Sequence, residues 1–350
     1  MRALVINALT YQGLHIVYKL IEHDHFATLY SDGSYDTRPA EQLALYTRKG
    51  YKTTRYTNSI DDEASLLDAL TSDKIDVVIY CLARTNVRDS IHNPQEYYEK
   101  NVGDVLKLLS AMKKAKVYNI VFCSSFAVYG DTPNSFASPL TEQSIANPIS
   151  AFGNTVLAVE NILKDWCAAA FKANAICLRF STLGGAHPSG ILNSTYGYDN
   201  LLSEISKAAN NKKYALYLYK SKTSSSCVRD YVHILDAADA VVKASSYVIN
   251  AKDLIKWKAI NICSHTSYST LDVIDIFEKT NNRKITIYDG ITIPGEISSC
   301  TGSNKRAYDL LNWKPKYTIE DMCKDAWQAE VRQDFRSRVK NALLDVANFL

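Results

Sequence analysis

The sequence predicts an α/β fold: a doubly wound, Rossmann-like parallel sheet followed by a smaller domain of less regular structure. Two observations carry that expectation. The β-type segments of the first half are short and apolar almost throughout, as in Asp76-Val77-Val78-Ile79-Tyr80-Cys81. Between them stand segments whose apolar residues recur at helical spacing. A strand that is apolar on both faces must be covered on both, and alternating helices supply the cover.

Ala3-Leu4-Val5-Ile6 is the first strand, and Leu14, Val17, Tyr18, Leu20 and Ile21 mark the helix after it. Phe26 to Tyr30 is the second strand. Ala64 to Leu70 reads as helix and leads into the strand Asp76 to Cys81. A long helix follows Pro94, with Val102, Val105, Leu106, Leu109 and Met112 at helical spacing. Asn119 to Ser124 is a further strand, Phe152 to Phe171 a second long helix, and Ala175 to Phe180 another strand. The alternation loosens after about Ser181. Ser221 to Ser226 reads as a polar loop, and the chain from about Arg332 as a helical tail. The expected domains are residues 1–181 and 182–350, with part of 228–265 returning to the first. No internal repeat interrupts this plan.

Composition narrows the functional classes. The 350 residues are 47% hydrophobic and 22% charged, an ordinary globular balance. Forty basic against 37 acidic residues leave a formal charge of +3, which argues against a nucleic-acid binder. Lys113, Lys114 and Lys116 read as a solvated helix end. Eight cysteines show neither CxxC nor a zinc-like Cys/His spacing, so no metal is expected. Cys81, Cys123, Cys177 and Cys263 sit in apolar runs, as buried reduced thiols do. With a strand starting at once and no apolar run of membrane length, a cytoplasmic protein is expected, with the nucleus as the alternative.

In doubly wound sheets, ligands bind at the carboxyl ends of the strands, where strand order reverses. That places the candidate site beside Asn7, Ser31, Cys81, Ser125 and Ser181. Several segments around it occur together: Ser124-Ser125-Phe126-Ala127-Val128-Tyr129-Gly130-Asp131, Phe152-Gly153-Asn154-Thr155 with Glu160-Asn161-Ile162-Leu163, and Gly185-Ala186-His187-Pro188-Ser189-Gly190. Val228-Arg229-Asp230-Tyr231-Val232-His233 and Leu311-Asn312-Trp313 complete the set. In this order and spacing the chain resembles the UDP-galactose 4-epimerases of the extended short-chain dehydrogenase/reductase family, fungal members above all.

The resemblance implies an NAD site, but most of its positions carry other residues. The GxxGxxG turn after the first strand falls on Asn7, Thr10 and Gly13. Those glycines let the backbone approach a pyrophosphate at a helix N-terminus. Asn can hold the turn, whereas β-branched Thr10 places a side chain where phosphates would lie. The ribose-binding acid falls on Ser31, with Asp32 adjacent, and Asp32-Gly33 reads as a turn. A second acid falls on Ser59, the following loop's glycine and lysine on Ala83 and Thr85, and Asn101 is retained.

The family oxidises the sugar at C4 with a tyrosine base in a YxxxK motif, helped by a serine. Here the tyrosine position is Phe152, the lysine position Val156, and the serine Ser125. Losing a general acid–base group typically costs about 10²–10⁴-fold in rate. On the substrate side Arg229 matches a phosphate-binding arginine, and an ion pair with a nearby carboxylate is its alternative role. A second arginine falls on Thr292. Thr182, Asn200, Leu201 and Tyr219 match the sugar and uridine contacts.

The expectation is therefore a non-catalytic descendant of an epimerase, structural, scaffolding or regulatory, with no cofactor, or with NAD if the ancestral site survives. An active NAD-dependent UDP-glucose 4-epimerase and a non-catalytic UDP-sugar sensor are the alternatives. The resemblance further implies a homodimer, or another protein partner, joined through helices 94–116 and 152–171.

Overall fold

The computed structural model describes residues 1–32, 53–132, 135, 138–190, 192, 200–211, 214–222, 224, 227–250 and 256–347. The first half alternates β1 (Arg2–Ile6), α1 (Tyr11–Glu22), β2 (Phe26–Tyr30), β3 (Thr53–Tyr56), α2 (Glu63–Ser72), β4 (Val77–Tyr80), α3 (Val87–His92), α4 (Pro94–Tyr97), α5 (Asp104–Ala115), β5 (Asn119–Ser125), α6 (Ala151–Ala169) and β6 (Asn174–Phe180). The second half holds β7 (Thr182–Gly184), α7 (Leu201–Asn210), β8 (Leu216–Lys220), β9 (Val228–His233), α8 (Ile234–Asn250), β10 (Trp257–Ile262), β11 (Ser267–Ser269), α9 (Thr270–Asn281), β12 (Ile287–Thr292), β13 (Ser299–Cys300), α10 (Lys305–Leu311) and α11 (Ile319–Ala347).

Seven parallel strands form the main sheet in the order β10-β6-β5-β4-β1-β2-β3, so strand order reverses between β1 and β4. Alternate residues of each strand feed opposite layers. Val5, Ile79, Val121 and Ile176 enter the core with α1 and α8. Leu4, Val78, Ile120 and Cys177 enter the core with α2, α5 and α6. After β9 the chain returns: α8 packs on α1, and β10 pairs with β6 to close the sheet. The rest forms a third core beneath α7, α9 and α11. There β9 pairs with β7, β11 and β13, and β8 pairs with β12.

Two expected elements differ. The long helix after Pro94 is broken by a π-helical segment, Tyr98–Gly103, between α4 and α5. Its wider turn brings Asn101 inward to a fully buried position. The tail expected from Arg332 is part of α11, which begins at Ile319, where Ile319, Met322, Cys323 and Ala326 dock on the third core. Among the described residues no helix is long and apolar enough to cross a membrane, no metal-binding cluster occurs, and all eight cysteines are buried and unbridged.

Candidate functional site

The turn after β1 keeps its shape by other means than glycine. Asn7 adopts the left-handed conformation, with φ of 56°, and its Nδ2 donates to the Cys81 carbonyl at 2.7 Å. Asparagine tolerates that conformation because its short polar side chain bonds locally. Thr10 caps α1: its Oγ1 donates to the Asn7 carbonyl at 2.8 Å and accepts from the Gly13 N–H at 3.1 Å. Gly13 serves close packing, since a Cβ there would stand 2.5 Å from the Asn7 carbonyl oxygen.

Ser31, buried at the end of β2, turns its hydroxyl into this loop and accepts from the Leu9 N–H at 3.0 Å. Asp32 follows it half-buried, while Gly33 lies outside the described residues. Ser59 is exposed and bonds the Asp61 carboxylate at 3.0 Å. Asn101 clamps the loop after β4. It accepts from the Arg84 N–H at 3.2 Å and donates to the Arg84 carbonyl at 2.9 Å and to Thr155 Oγ1 at 3.2 Å. The turn thus survives, but hydroxyls of Thr10 and Ser31 hold amides at its mouth. With Thr10 at the helix N-terminus and Ser31 in place of an acid, these residues do not fit a tightly held dinucleotide.

At the end of β5, Ser125 caps the 3₁₀ turn Phe126–Tyr129, its Oγ accepting from the Ala127 N–H at 3.1 Å. Phe152 and Val156 lie one helical turn apart on α6, 5% and 0% exposed, within the apolar layer of the sheet. Neither carries a titratable group, and the enclosure around Val156 offers a charge no water. Phe126, which the sequence reading quoted only as part of a motif, lines the same cavity. Tyr129 is structural: its hydroxyl donates to Asn261 Oδ1 at 2.6 Å and accepts from Arg179 Nη1 at 3.0 Å. Burial pushes it up to about 12, so it is no base near neutral pH. Arg179 also pairs with buried Glu160, to which Ser124 Oγ donates at 2.5 Å. This network ties α6 to β5, β6 and β10.

A cavity of about 160 Å³ opens between the two halves, bringing together Ser125, Phe152, Thr182 and Arg229 with Phe126 and Phe180. The other substrate positions lie off it. Asn200 caps α7, its Oδ1 accepting from the Ser203 N–H at 2.9 Å, and Leu201 begins that helix. Tyr219 on β8 lies under the Arg88 guanidinium, 4.1 Å from the ring centroid. Thr292 ends exposed β12. Arg229 takes the ion-pair role, bonding Glu296. Burial opposes its charge, and the Glu296 carboxylate together with Cys227, Cys300 and Tyr231 outweighs that, so its pKa is raised.

Asp230, also on the cavity, is pushed up to about 6 by burial. Its oxygens accept from the Ser264 N–H at 2.7 Å, Ser264 Oγ at 2.9 Å and the His265 N–H at 2.9 Å, so it ties β9 to the loop after β10. Glu296 and Arg88 were not legible as site residues. Each meets its partner only through the tertiary fold, and neither belongs to a local motif.

Comparison with known proteins agrees with this frame. Residues 4–262 match the NAD dependent epimerase/dehydratase family. UDP-glucose 4-epimerase of Yersinia enterocolitica is 32% identical over 335 residues, covering 94% of this chain and 97% of that protein. The bifunctional protein GAL10 of Pachysolen tannophilus is 28% identical over 97% of this chain, which spans 50% of that longer protein. UDP-glucose 4-epimerase of Bifidobacterium longum, solved with NAD+ and UDP, superposes with a TM-score of 0.86 at 27% identity, over 95% of this chain and 98% of that one. The enzyme of Stenotrophomonas maltophila, solved with NAD and formylated UDP-arabinopyranose, gives 0.87 at 25% identity, over 96% and 99%. The sheet order, the retained turn and these matches together place the chain in the NAD dependent epimerase/dehydratase family, as a UDP-glucose 4-epimerase-like protein.

Proposed function

We propose that this chain is a non-catalytic member of the epimerase family, acting in the cytoplasm as a structural, scaffolding or regulatory partner. The observation that carries the proposal is the pair Phe152 and Val156, both buried in the apolar layer where a tyrosine base and its lysine would stand. The remaining polar groups do not replace them. Ser125 is engaged as a cap, Tyr129 is held protonated, and Asp230 is an acceptor for three backbone and hydroxyl donors. At the positions that the resemblance assigns to the turn, the ribose contact and the base, this chain carries Asn7 and Thr10, Ser31, and Phe152. Eight reduced, buried cysteines suit a reducing compartment.

The partner surface belongs to the same proposal. Tyr98 and Leu106 stand 44% and 53% exposed along the segment 94–116, beside helix 151–169, and pairing with a second copy or another protein would cover them.

The test is to denature the purified chain and analyse the released small molecules by mass spectrometry, alongside an assay converting UDP-galactose to UDP-glucose with NAD added. The expected result is no stoichiometric NAD and no turnover. Bound NAD together with turnover overturns the proposal and restores the active-epimerase alternative.

A further inference from the structure

We propose that Cys81 and Cys123 form a reversible, peroxide-responsive disulfide beneath the turn after β1, with that turn as its gate. This goes beyond the non-catalytic reading and does not depend on it.

Position is the first argument. Cys81 directly follows β4 and Cys123 lies in β5, each one step beyond the paired residues Tyr80 and Phe122. Neighbouring strands run about 4.8 Å apart, inside the span of roughly 4.4–6.8 Å between Cα atoms that a disulfide bridges. Both side chains enter the layer with α1 and α8, and their sulfurs stand 3.9 Å apart. Closing that gap to about 2.05 Å takes side-chain rotation rather than strand movement. Among the described residues, which include all eight cysteines, no other two thiols hydrogen-bond to each other.

The surroundings are the second. The two residues are 0% and 2% exposed, in a layer shared with Val5, Leu9, Ile79 and Val121. An apolar layer penalises charge, so a thiolate, a sulfinate or a thiolate-bound cation would stand there without a partner. A disulfide is neutral, and is the oxidised product that this layer can keep. Burial, with Cys81 as hydrogen-bond partner, raises Cys123 well above the usual thiol range, so the pair stays protonated while the layer is closed.

Access is the third. Ala8 and Leu9 belong to the same layer, and Asn7 Nδ2 bonds the Cys81 carbonyl at 2.7 Å, so the turn lies over the pair. Local opening of the turn exposes the Cys81 sulfur to hydrogen peroxide. Its thiolate attacks: an S–O bond forms, the O–O bond breaks, and hydroxide leaves as water with the thiol proton. The Cys123 sulfur then attacks Cys81; an S–S bond forms, the S–O bond breaks, and a second water leaves. Two thiols thus lose two electrons to one peroxide, and a small dithiol reverses the step by exchange. The bridge would join the ends of β4 and β5, and with them the turn and the loop that Asn101 clamps at Arg84. In a reducing compartment such a bond is transient and reports oxidant.

The test uses the full chain, purified reduced, exposed to hydrogen peroxide at neutral pH and quenched with N-ethylmaleimide in denaturant. Intact mass and non-reducing peptide mapping are the readouts. The expected result is loss of two of the eight alkylatable thiols and a linked Cys81–Cys123 peptide, both reversed by dithiothreitol. The thermal midpoint of the linked chain should rise by about 5 °C. Asn7→Gly keeps the left-handed turn but removes the bond to Cys81, and should form the link about fivefold faster. Cys123→Ser should abolish the link; if that variant does not fold, mapping of the parent decides alone. Eight alkylatable thiols after prolonged exposure, a sulfinic acid at Cys81 in place of the link, or a link through other cysteines overturns the proposal. So does an Asn7→Gly rate equal to the parent's. NAD content and epimerase turnover are separate readouts, so failure here leaves the non-catalytic reading standing.

Discussion

At the residue scale, one position in the catalytic motif has been absorbed into the core. Val156 is wholly buried among Phe122, Val159 and their neighbours in the apolar layer beneath α6. Val156→Lys should therefore destabilise the protein by about 3 kcal/mol or more, because an ammonium there has no partner. Urea unfolding followed by circular dichroism measures this, and an unchanged midpoint would show the site still has room for its ancestral lysine. Residues of this kind were legible in the sequence because they sit inside short motifs at fixed offsets: Asn7, Thr10 and Ser31 follow a recognisable strand or precede a helix, and Phe152 and Val156 stand four apart in the first turns of one. Arg88, Phe126 and Glu296 were not singled out. Their roles arise from contacts with Tyr219, the cavity and Arg229, which no local pattern encodes.

At the element scale, α1 is tied to the second half of the chain by buried imidazoles. His15 Nδ1 lies 2.7 Å from the Tyr11 carbonyl, Tyr11 donates to the Gly185 carbonyl at 2.8 Å, and His187 meets Tyr18 edge-on at 4.5 Å. Burial lowers His15 to about 3 and His187 to about 4, from 6.5. The unfolded chain therefore binds more protons at these sites below pH 6.5, so their contribution is fully present above 6.5 and is lost as pH falls. Asp230 opposes this. Its raised pKa, about 6, means that the folded chain holds an extra proton between there and 3.8. Taken alone, these three groups leave a net loss near one proton, or about 1.4 kcal/mol per pH unit between pH 6 and 4; raised Asp104 and Asp236 oppose it and lowered His25 adds to it. Urea midpoints across that range test it: His15→Gln should reduce the loss of stability on acidification relative to the parent, and an unchanged slope would remove His15 from the account. The strands and helices that frame these groups were read from apolar patterning within a residue or two. The π-helical turn was not, because Val102, Val105, Leu109 and Met112 also satisfy an uninterrupted α-helix.

At the scale of the whole molecule, the chain keeps an intact architecture around an altered cleft. The seven-stranded sheet, its two apolar layers and the returning α8–β10 unit follow the family plan. Strands β1, β2, β4, β5 and β6 were foreseeable, since buried parallel strands leave a strong sequence signature, whereas the edge strand β3 was not read. The cleft volume was not, because it depends on side chains from both halves. If the segments 94–116 and 151–169 carry pairing, light scattering should give a dimer mass, and Leu106→Arg should yield a folded monomer. A parent chain that is monomeric, and retains no protein partner through these helices, would remove that surface from the proposal.

The π-helical segment also sets a rotational phase. Each residue of an α-helix advances the chain by about 100°. The π-helical turn absorbs one extra residue, so deleting one between Tyr98 and Gly103 would close an ordinary α-helix and leave Val105, Leu108 and Met112 facing the sheet. The same deletion would draw Asn101 off the Arg84 backbone. The extra residue of this turn therefore serves the loop at the cleft: its loss would register there, while α5 keeps its phase.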